Sequence, residues 1–459
     1  MSEDILALRQ KIISQLTAAR LERGLTQSQL AEMIGTKRSN ICRIESGGQN
    51  ISLDMLLKIS HAVGKNLTVI LEERGDDVIT KYSLRMYDEE LLTFSLEENG
   101  LEGMQAKILS VNEERKSVFP LDLTLTDNGI MKWLERRVIP KNRAFVDEIL
   151  KTLGLSINNT KGIIDVCKGL SLNDSYWVVP LGFEGTFEEY NLYHNRFSEV
   201  LSLVAYTGAP HSNKAFSTSP ELTTQGMLRK AWRFIEDDGI YLYKGGTEGY
   251  ANAGNEPYSE YYACQIAEHM GLNAVHYDLE NWKGILASTC KLFTDIDTAF
   301  VPIGRIVTSG GIKACLDYFA GIGEEALEQA KSMLVFDAVI YNEDRHFGNF
   351  GVLRDNHTGE IIGAAPVFDN GLSLFNFAME DDFKDIAAYA STRANPYGIS
   401  YENICKEVMG ARQRAELKKL IGFKFKRHPS INLPEWRLEA IEKHIECRVR
   451  ELLSLPRVK

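Results

Sequence analysis

Paired cysteines are missing from this chain. Its seven cysteines (Cys42, Cys167, Cys264, Cys290, Cys315, Cys405 and Cys447) are odd in number and widely spread, and none forms a CxxC pair. That pattern excludes a disulfide framework and a zinc knuckle, and it makes a reduced, cytoplasmic location the expectation. Also missing is any run of about 18 apolar residues, the minimum for a transmembrane helix. The opening MSEDILALRQ is acidic and amphipathic rather than basic-then-apolar, so no secretory signal and no membrane partner are expected. There is no internal repeat and no low-complexity tract.

What is present is ordinary globular material: 459 residues, 44% hydrophobic and 25% charged. A chain of this length suggests about three domains. The net charge of −11 is unevenly distributed: +2 over residues 1–75, −19 over 76–400 and +6 over 401–459. An acidic body with basic ends disfavours nucleic-acid binding over the whole surface but permits it through one end. We divide the chain at 1–75, 76–210 and 211–459, with the first boundary near Arg74-Gly75-Asp76-Asp77.

The first segment reads as four helices. Ile5, Leu8, Ile12, Ile13, Leu16 and Ala19 recur at helical spacing, and Gly24 ends the run. Thr26 and Gln29 make a capping box for a second helix. Gly35 turns the chain into a third, from about Lys37 to Glu45, and Ser52 caps a fourth. LTVILEE then alternates like a strand suited to pairing across a dimer axis. The second and third helices form a helix-turn-helix, a motif that sends the third helix's N-terminal end into the major groove. Lys37, Arg38, Ser39, Asn40 and Arg43 lie on that helix, where Arg38 suits guanine and Asn40 adenine. Gln27 opens the second helix, a position facing phosphate. The stretch LTQSQLAEMIGTKRSNICRIESG resembles the Cro/repressor-like (XRE) helix-turn-helix family, with TQxxLA, the central glycine and IxRIExG in register. The resemblance implies duplex operator DNA as partner and a homodimer through this domain. The competing reading is a four-helix bundle used for protein contacts.

The body carries three pieces in a fixed order. IYLYKGG places Lys244 at the end of an alternating strand, NEDRHFGN carries Asp344 and Asn349 five residues apart, and PVFDNG carries Asp369. Phosphoryl transfer from ATP calls for such a set: a lysine for the phosphates, an aspartate at the substrate hydroxyl, and an asparagine and a second aspartate as oxygen ligands for Mg²⁺. Glu260, on the helix after Lys244, suits pairing with that lysine. His346 suits a hydrogen bond that stabilises its own loop. The basic cluster Lys418, Lys419, Lys424, Lys426 and Arg427 reads as a solvated face. Trp436, Leu438, Ile441, Ile445, Val449 and Leu452 read as core.

DRHFGN, PVFDNG and the helix EYYACQIAEHMGL together resemble the HipA-type persistence kinases. The likeness is firm over about 210–380 and looser over 78–210. It implies an α+β, two-lobed protein-kinase-like body after the all-α helix-turn-helix domain, and a serine/threonine protein kinase using ATP and Mg²⁺. By resemblance, Asp344 is catalytic, Asn349 and Asp369 hold metal, and Lys244 and Glu260 serve the nucleotide. The family's phosphate loop corresponds to TTQGMLRK, with Gly226 as its glycine. Threonine stands at the autophosphorylation position, so Thr223 is expected there ahead of Thr224 and Ser219. Arg229 and Lys230 are placed to hold the phosphate of an ejected loop. In that family the helix-turn-helix partner is usually a separate antitoxin chain. Here a similar domain heads the same polypeptide, which implies a fused, self-repressing toxin–antitoxin module. Two alternatives stay open: a transcriptional regulator whose kinase-like body is an inactive sensor, and a small-molecule phosphotransferase.

Overall fold

The computed structural model describes residues 2–46, 51–65, 67, 80–99, 103–209, 218–249 and 252–456. The expected strand LTVILEE and the boundary at 74–77 lie outside the described residues apart from Leu67. The chain separates into two compact units, one of residues 1–80 with 96–105 and one of 81–95 with 106–459.

The first unit holds α1 (Ser2–Glu22), α2 (Gln27–Met33), α3 (Arg38–Glu45) and α4 (Leu53–Ala62). Thr26 and Gln29 form the capping box of α2, and the Ser52 hydroxyl accepts the Met55 N–H at the start of α4. Both satisfy amide donors that a helix start leaves orphaned. Gly35 sits at φ +69, the left-handed conformation the tight turn between α2 and α3 requires. Leu30, Ala31, Ile41, Ile44, Ile59 and Val63 close a small core.

The second unit is α+β. β1 (Thr80–Met86), β2 (Glu89–Asn99) and β3 (Gly103–Val111) run across the division, and the second unit continues with α5 (Asp127–Glu135), α6 (Val146–Thr152), α7 (Thr160–Cys167), β4 (Tyr176–Pro180), α8 (Phe187–Tyr190) and α9 (Glu199–Thr207). The strands form one sheet in the order β3-β2-β1-β4, with β1 and β4 antiparallel. β5 (Lys230–Ile235), β6 (Gly239–Gly245), α10 (Glu256–Met270), β7 (Tyr277–Trp282) and β8 (Ile285–Lys291) follow, with an antiparallel sheet ordered β5-β6-β8-β7. Cys264 and Ile266 of α10 are fully buried, as is Ala287 of β8.

The rest is mainly helical. β9 (Thr298–Pro302), α11 (Ile303–Ile306), α12 (Gly311–Ile322), α13 (Glu324–Ile340), β10 (Gly351–Asp355), β11 (Ile361–Ala364), α14 (Ile386–Ser391), α15 (Tyr401–Val408), α16 (Ala411–Lys419) and α17 (Glu435–Ser454) complete the chain. The three strands form a small antiparallel sheet ordered β11-β10-β9. One apolar cluster joins α10, α13, α15 and α17. Leu438, Ile441, Ile445, Val449 and Leu452 of α17 are buried in it, but Trp436 is 42% exposed and is not core. It lies in the first turn of α17 and meets the Phe383 ring at its edge (5.3 Å between centroids), a contact made at the surface.

Candidate functional site

Lys244, near the end of β6, is held between two carboxylates. Its Nζ donates to Glu260 Oε1 of α10 (2.8 Å) and to Asp369 Oδ1. Glu260 is fully buried, and its second oxygen accepts the Asn370 N–H at 2.7 Å. One glutamate therefore ties the lysine strand to the segment after β11. Burial opposes the Lys244 charge, but the Asp369 and Glu260 carboxylates outweigh it and hold its pKa above the ordinary lysine value. Burial likewise opposes the Asp369 charge, but Lys244 overcomes it and the carboxyl falls to about 2. Asp369 has a left-handed backbone, φ +56, and its N–H donates to Tyr277 Oη of β7 (3.1 Å).

Asp344 and Asn349 occupy the loop after α13. The Asp344 N–H donates to Asn342 Oδ1 (3.0 Å), and Asn349 Nδ2 closes the loop onto the Asp344 carbonyl (2.9 Å). The His346 ring stays within the loop, its Nδ1 accepting the Gly348 N–H at 2.9 Å. Burial raises the Asp344 carboxyl above the usual carboxylate range; His346 opposes this, and the Asp369 charge adds to it. Arg345 bonds the Asn349 and Phe368 carbonyls, and Asp369 pairs with Lys244, so the three sequence pieces converge on one site.

Arg345, a residue that motif reading passed over, fixes that convergence. Its guanidinium is fully buried and forks onto Asp337 of α13 (3.0 Å). The same group donates to the Asn349 carbonyl (3.1 Å), to the Phe368 carbonyl and to Asn370 Oδ1 (2.6 Å). It thus joins the Asp344 loop to the Asp369 segment. The signal was available in the sequence: Asp337 is a lone charge in the apolar run SMLVFDAVIY, and a buried charge needs a partner.

Lys230 also belongs here. It opens β5 directly opposite Lys244 in the β5–β6 register. The expectation that it holds an ejected phosphate describes a different conformation from this one. Here its side chain is buried under the preceding loop, with Nζ donating to the Gln225 carbonyl at 2.9 Å. Burial and the neighbouring Lys244 charge lower its pKa to about 7. Gly226 lies directly over it at φ +91, and a Cβ there would overlap the Lys230 ammonium. Arg229 pairs with Glu248. The loop is braced from below by Arg143, which donates to Glu221 Oε2, to the Glu221 carbonyl and to the Lys230 carbonyl (3.0 Å). The Thr223 hydroxyl is buried and donates to the Leu170 carbonyl (2.8 Å), whereas Thr224 bonds Pro220 and accepts from Trp232 Nε1. In the basic cluster near the C-terminus, Lys424 and Arg427 pair with Glu442, and Lys419 donates to the Met270 carbonyl.

In the first unit, Lys37, Arg38, Ser39 and Arg43 are exposed along α3, and Asn40 is half-buried with Nδ2 on Thr36 Oγ1 (3.1 Å). Gln27 is engaged internally: its amide donates to Glu45 Oε2 (2.8 Å), and the same carboxylate pairs with Arg20. The helix-turn-helix family matches residues 16–70. This segment is a helix-turn-helix domain. A Haemophilus influenzae HTH-type transcriptional regulator is 38% identical over 63 residues, which cover 14% of this chain and 64% of that protein.

A second curated relative, the serine/threonine-protein kinase CtkA of Helicobacter pylori, is 30% identical over 135 residues, 26% of this chain and 41% of CtkA. The chain thus spans less than two thirds of the length of either relative. Among solved structures, the Helicobacter pylori proinflammatory kinase CtkA matches 50% of this chain and 89% of its own at 19% identity and TM-score 0.39. The Shewanella oneidensis HipA, HipB and operator DNA complex matches 82% of this chain and 100% of that chain at 14% identity and TM-score 0.48. The helix-turn-helix domain is followed by an α+β body, 135 residues of the chain being similar to the kinase CtkA. No described helix is long and apolar enough to cross a membrane.

Proposed function

We propose that the protein is a cytoplasmic Mg-ATP-dependent serine/threonine protein kinase of the HipA type, joined to its own DNA-binding domain and repressing its own transcription. The observation that carries the reading is the convergence of Lys244, Glu260 and Asp369 with the Asp344–Asn349 loop. The residues fit the reactants chemically. Lys230 and Lys244 are buried ammonium groups facing each other across β5 and β6, suited to phosphate oxygens. The side-chain oxygens of Asn349 and Asp369 are the hard donors that Mg²⁺ prefers. Bound Mg²⁺ would neutralise charge on the oxygens of the transferring phosphate. Glu260 orients Lys244. Asp344 accepts the proton of a serine or threonine hydroxyl as its oxygen bonds to the γ-phosphorus and ADP departs. Burial raises its carboxyl above the usual carboxylate range, which makes it a stronger proton acceptor than an exposed aspartate.

The test of the metal assignment is calorimetry with ATP, with and without Mg²⁺. Parental protein should bind ATP more tightly with Mg²⁺, and Asp369→Asn should lose most of that gain because a carboxylate is exchanged for a neutral oxygen. An unchanged Mg²⁺ dependence removes Asp369 from the metal site.

Lys230 gives the reading a pH signature. Its pKa of about 7 belongs to the nucleotide-free protein. An arriving phosphate favours the protonated form and raises that pKa, so above pH 7 binding must take up a proton. ATP affinity should therefore fall between pH 7 and 9, by up to roughly tenfold per unit, and Lys230→Met should flatten the profile. A parental profile already flat across that range would contradict the assignment.

We further propose that Thr223 is the autophosphorylated residue. Its buried hydroxyl must leave the Leu170 carbonyl to be modified, so the phosphorylated segment would stay out of the nucleotide site and ATP binding would fall. Arg229 and Lys230 would then be free to pair with the phosphate.

For the first domain we propose operator DNA and dimerisation. Arg38→Ala should relax base preference, whereas Lys37→Ala should weaken binding to all sequences alike. Affinity should fall with salt at a log–log slope of about −0.9 per phosphate neutralised. Duplex selection followed by a salt titration checks this, and the absence of salt-dependent binding would favour a protein-contact role.

A further inference from the structure

Among the described residues, one group combines thiol, carboxylate and imidazole in the geometry of a metal site, away from the Asp344–Asp369 cluster. Cys264 and Glu268 stand one helical turn apart on α10, so they share a face. His276 immediately precedes β7. Their ligand atoms all lie within 4.8 Å of one another. His276 Nδ1 already meets Glu268 Oε1 at 2.5 Å. Glu268 and His276 line a groove of about 630 Å³ together with Asp278 and His428, and these last two are themselves paired at 3.4 Å. Cys264 is fully buried, its thiol near the Tyr261 and Tyr277 carbonyls (3.1 and 3.6 Å).

We propose that Cys264, Glu268 and His276 bind a Zn²⁺ ion that fastens α10 to β7. Sulfur, nitrogen and oxygen are the three donor types that zinc accepts in tetrahedral sites, and three protein ligands leave a fourth position for water. The groove supplies that opening. Burial, reinforced by the carboxylates around it, pushes the Cys264 thiol up to about 12, so without metal the sulfur keeps its proton. A bound cation deprotonates the thiol. The proton passes to solvent. The consequence for the molecule follows from the neighbours of the ligands. Glu260, which holds Lys244, lies one turn before Cys264 on α10. Tyr277, which accepts the Asp369 N–H, follows His276 in sequence. The ion would therefore fix the two elements that carry these contacts.

The test is titration of the full-length protein with Co²⁺, a spectroscopic substitute for Zn²⁺, followed by displacement with Zn²⁺. The expected result is one equivalent per chain with a thiolate-to-cobalt charge-transfer band, bleached by Zn²⁺. Cys264→Ser should abolish the band, and His276→Ala, which alters an exposed side chain and leaves the core intact, should weaken binding at least tenfold. Asp369→Asn should leave the band unchanged. Absence of a charge-transfer band, or equal affinity in the His276→Ala protein, overturns the proposal. So does cobalt binding without a charge-transfer band that is lost in Asp369→Asn and kept in His276→Ala, which would place the ion at the other site.

Discussion

Alanine at Asp344 is expected to lower phosphoryl transfer by about 10²–10⁴, the usual cost of removing a positioned proton acceptor, while Mg-ATP still binds. The separation of the two effects follows from where the groups sit. Lys244 is held by Glu260 and Asp369, and Asn349 anchors to the Asp344 backbone carbonyl rather than to its carboxylate. Removing the Asp344 side chain therefore leaves the nucleotide and metal groups in place. Nucleotide affinity by calorimetry and transfer by radiolabel distinguish the outcomes. Retention of near-parental transfer would show that Asp344 is not the proton acceptor. Loss of binding together with transfer would show that the side chain is structural.

The second large effect is expected at Arg345. Leucine there removes the cation opposite Asp337 in the interior. Breaking a buried ion pair from one side typically costs about 3–5 kcal/mol, because the remaining charge has no compensation. The Asn349 and Phe368 carbonyls and Asn370 Oδ1 lose the same donor. Arg345→Lys should restore little, since an ammonium cannot reproduce the planar fork. Urea unfolding of the parent and both variants measures the effect, and a loss below about 1 kcal/mol in Arg345→Leu would contradict the role given to this network.

What the sequence revealed depended on how local each signal was. The α2 capping box, the Gly35 turn and the α10 helix are set by residues within a few positions of one another, and each stands where the pattern placed it. The pairing of Lys244 with Glu260 was legible because strand and helix follow directly in the chain. Lys230 was not, since its place opposite Lys244 depends on the β5–β6 register and its burial on a glycine loop folding back over it. Arg345 was hidden for a similar reason. It is written inside the DRHFGN motif, but its partners come from α13 and from residues 368–370, and only the tertiary fold brings those together. Trp436 shows the limit of helical periodicity, which identifies a face but not whether its first turn has anything above it. Gln27 shows another: its position at a helix start suggested a phosphate contact but not the bond its amide makes to Glu45, 18 residues away.

Incubation of the full-length protein with γ-labelled ATP and Mg²⁺, with mass-spectrometric mapping of any phosphate, is the most direct test of the kinase reading. The account predicts Mg²⁺-dependent incorporation on residues 217–224, centred on Thr223, in the parental protein and none in Asp344→Ala. Incorporation in the Asp344→Ala protein at the parental level, or no transfer by parental protein to itself or to any serine- or threonine-containing protein offered, would contradict it.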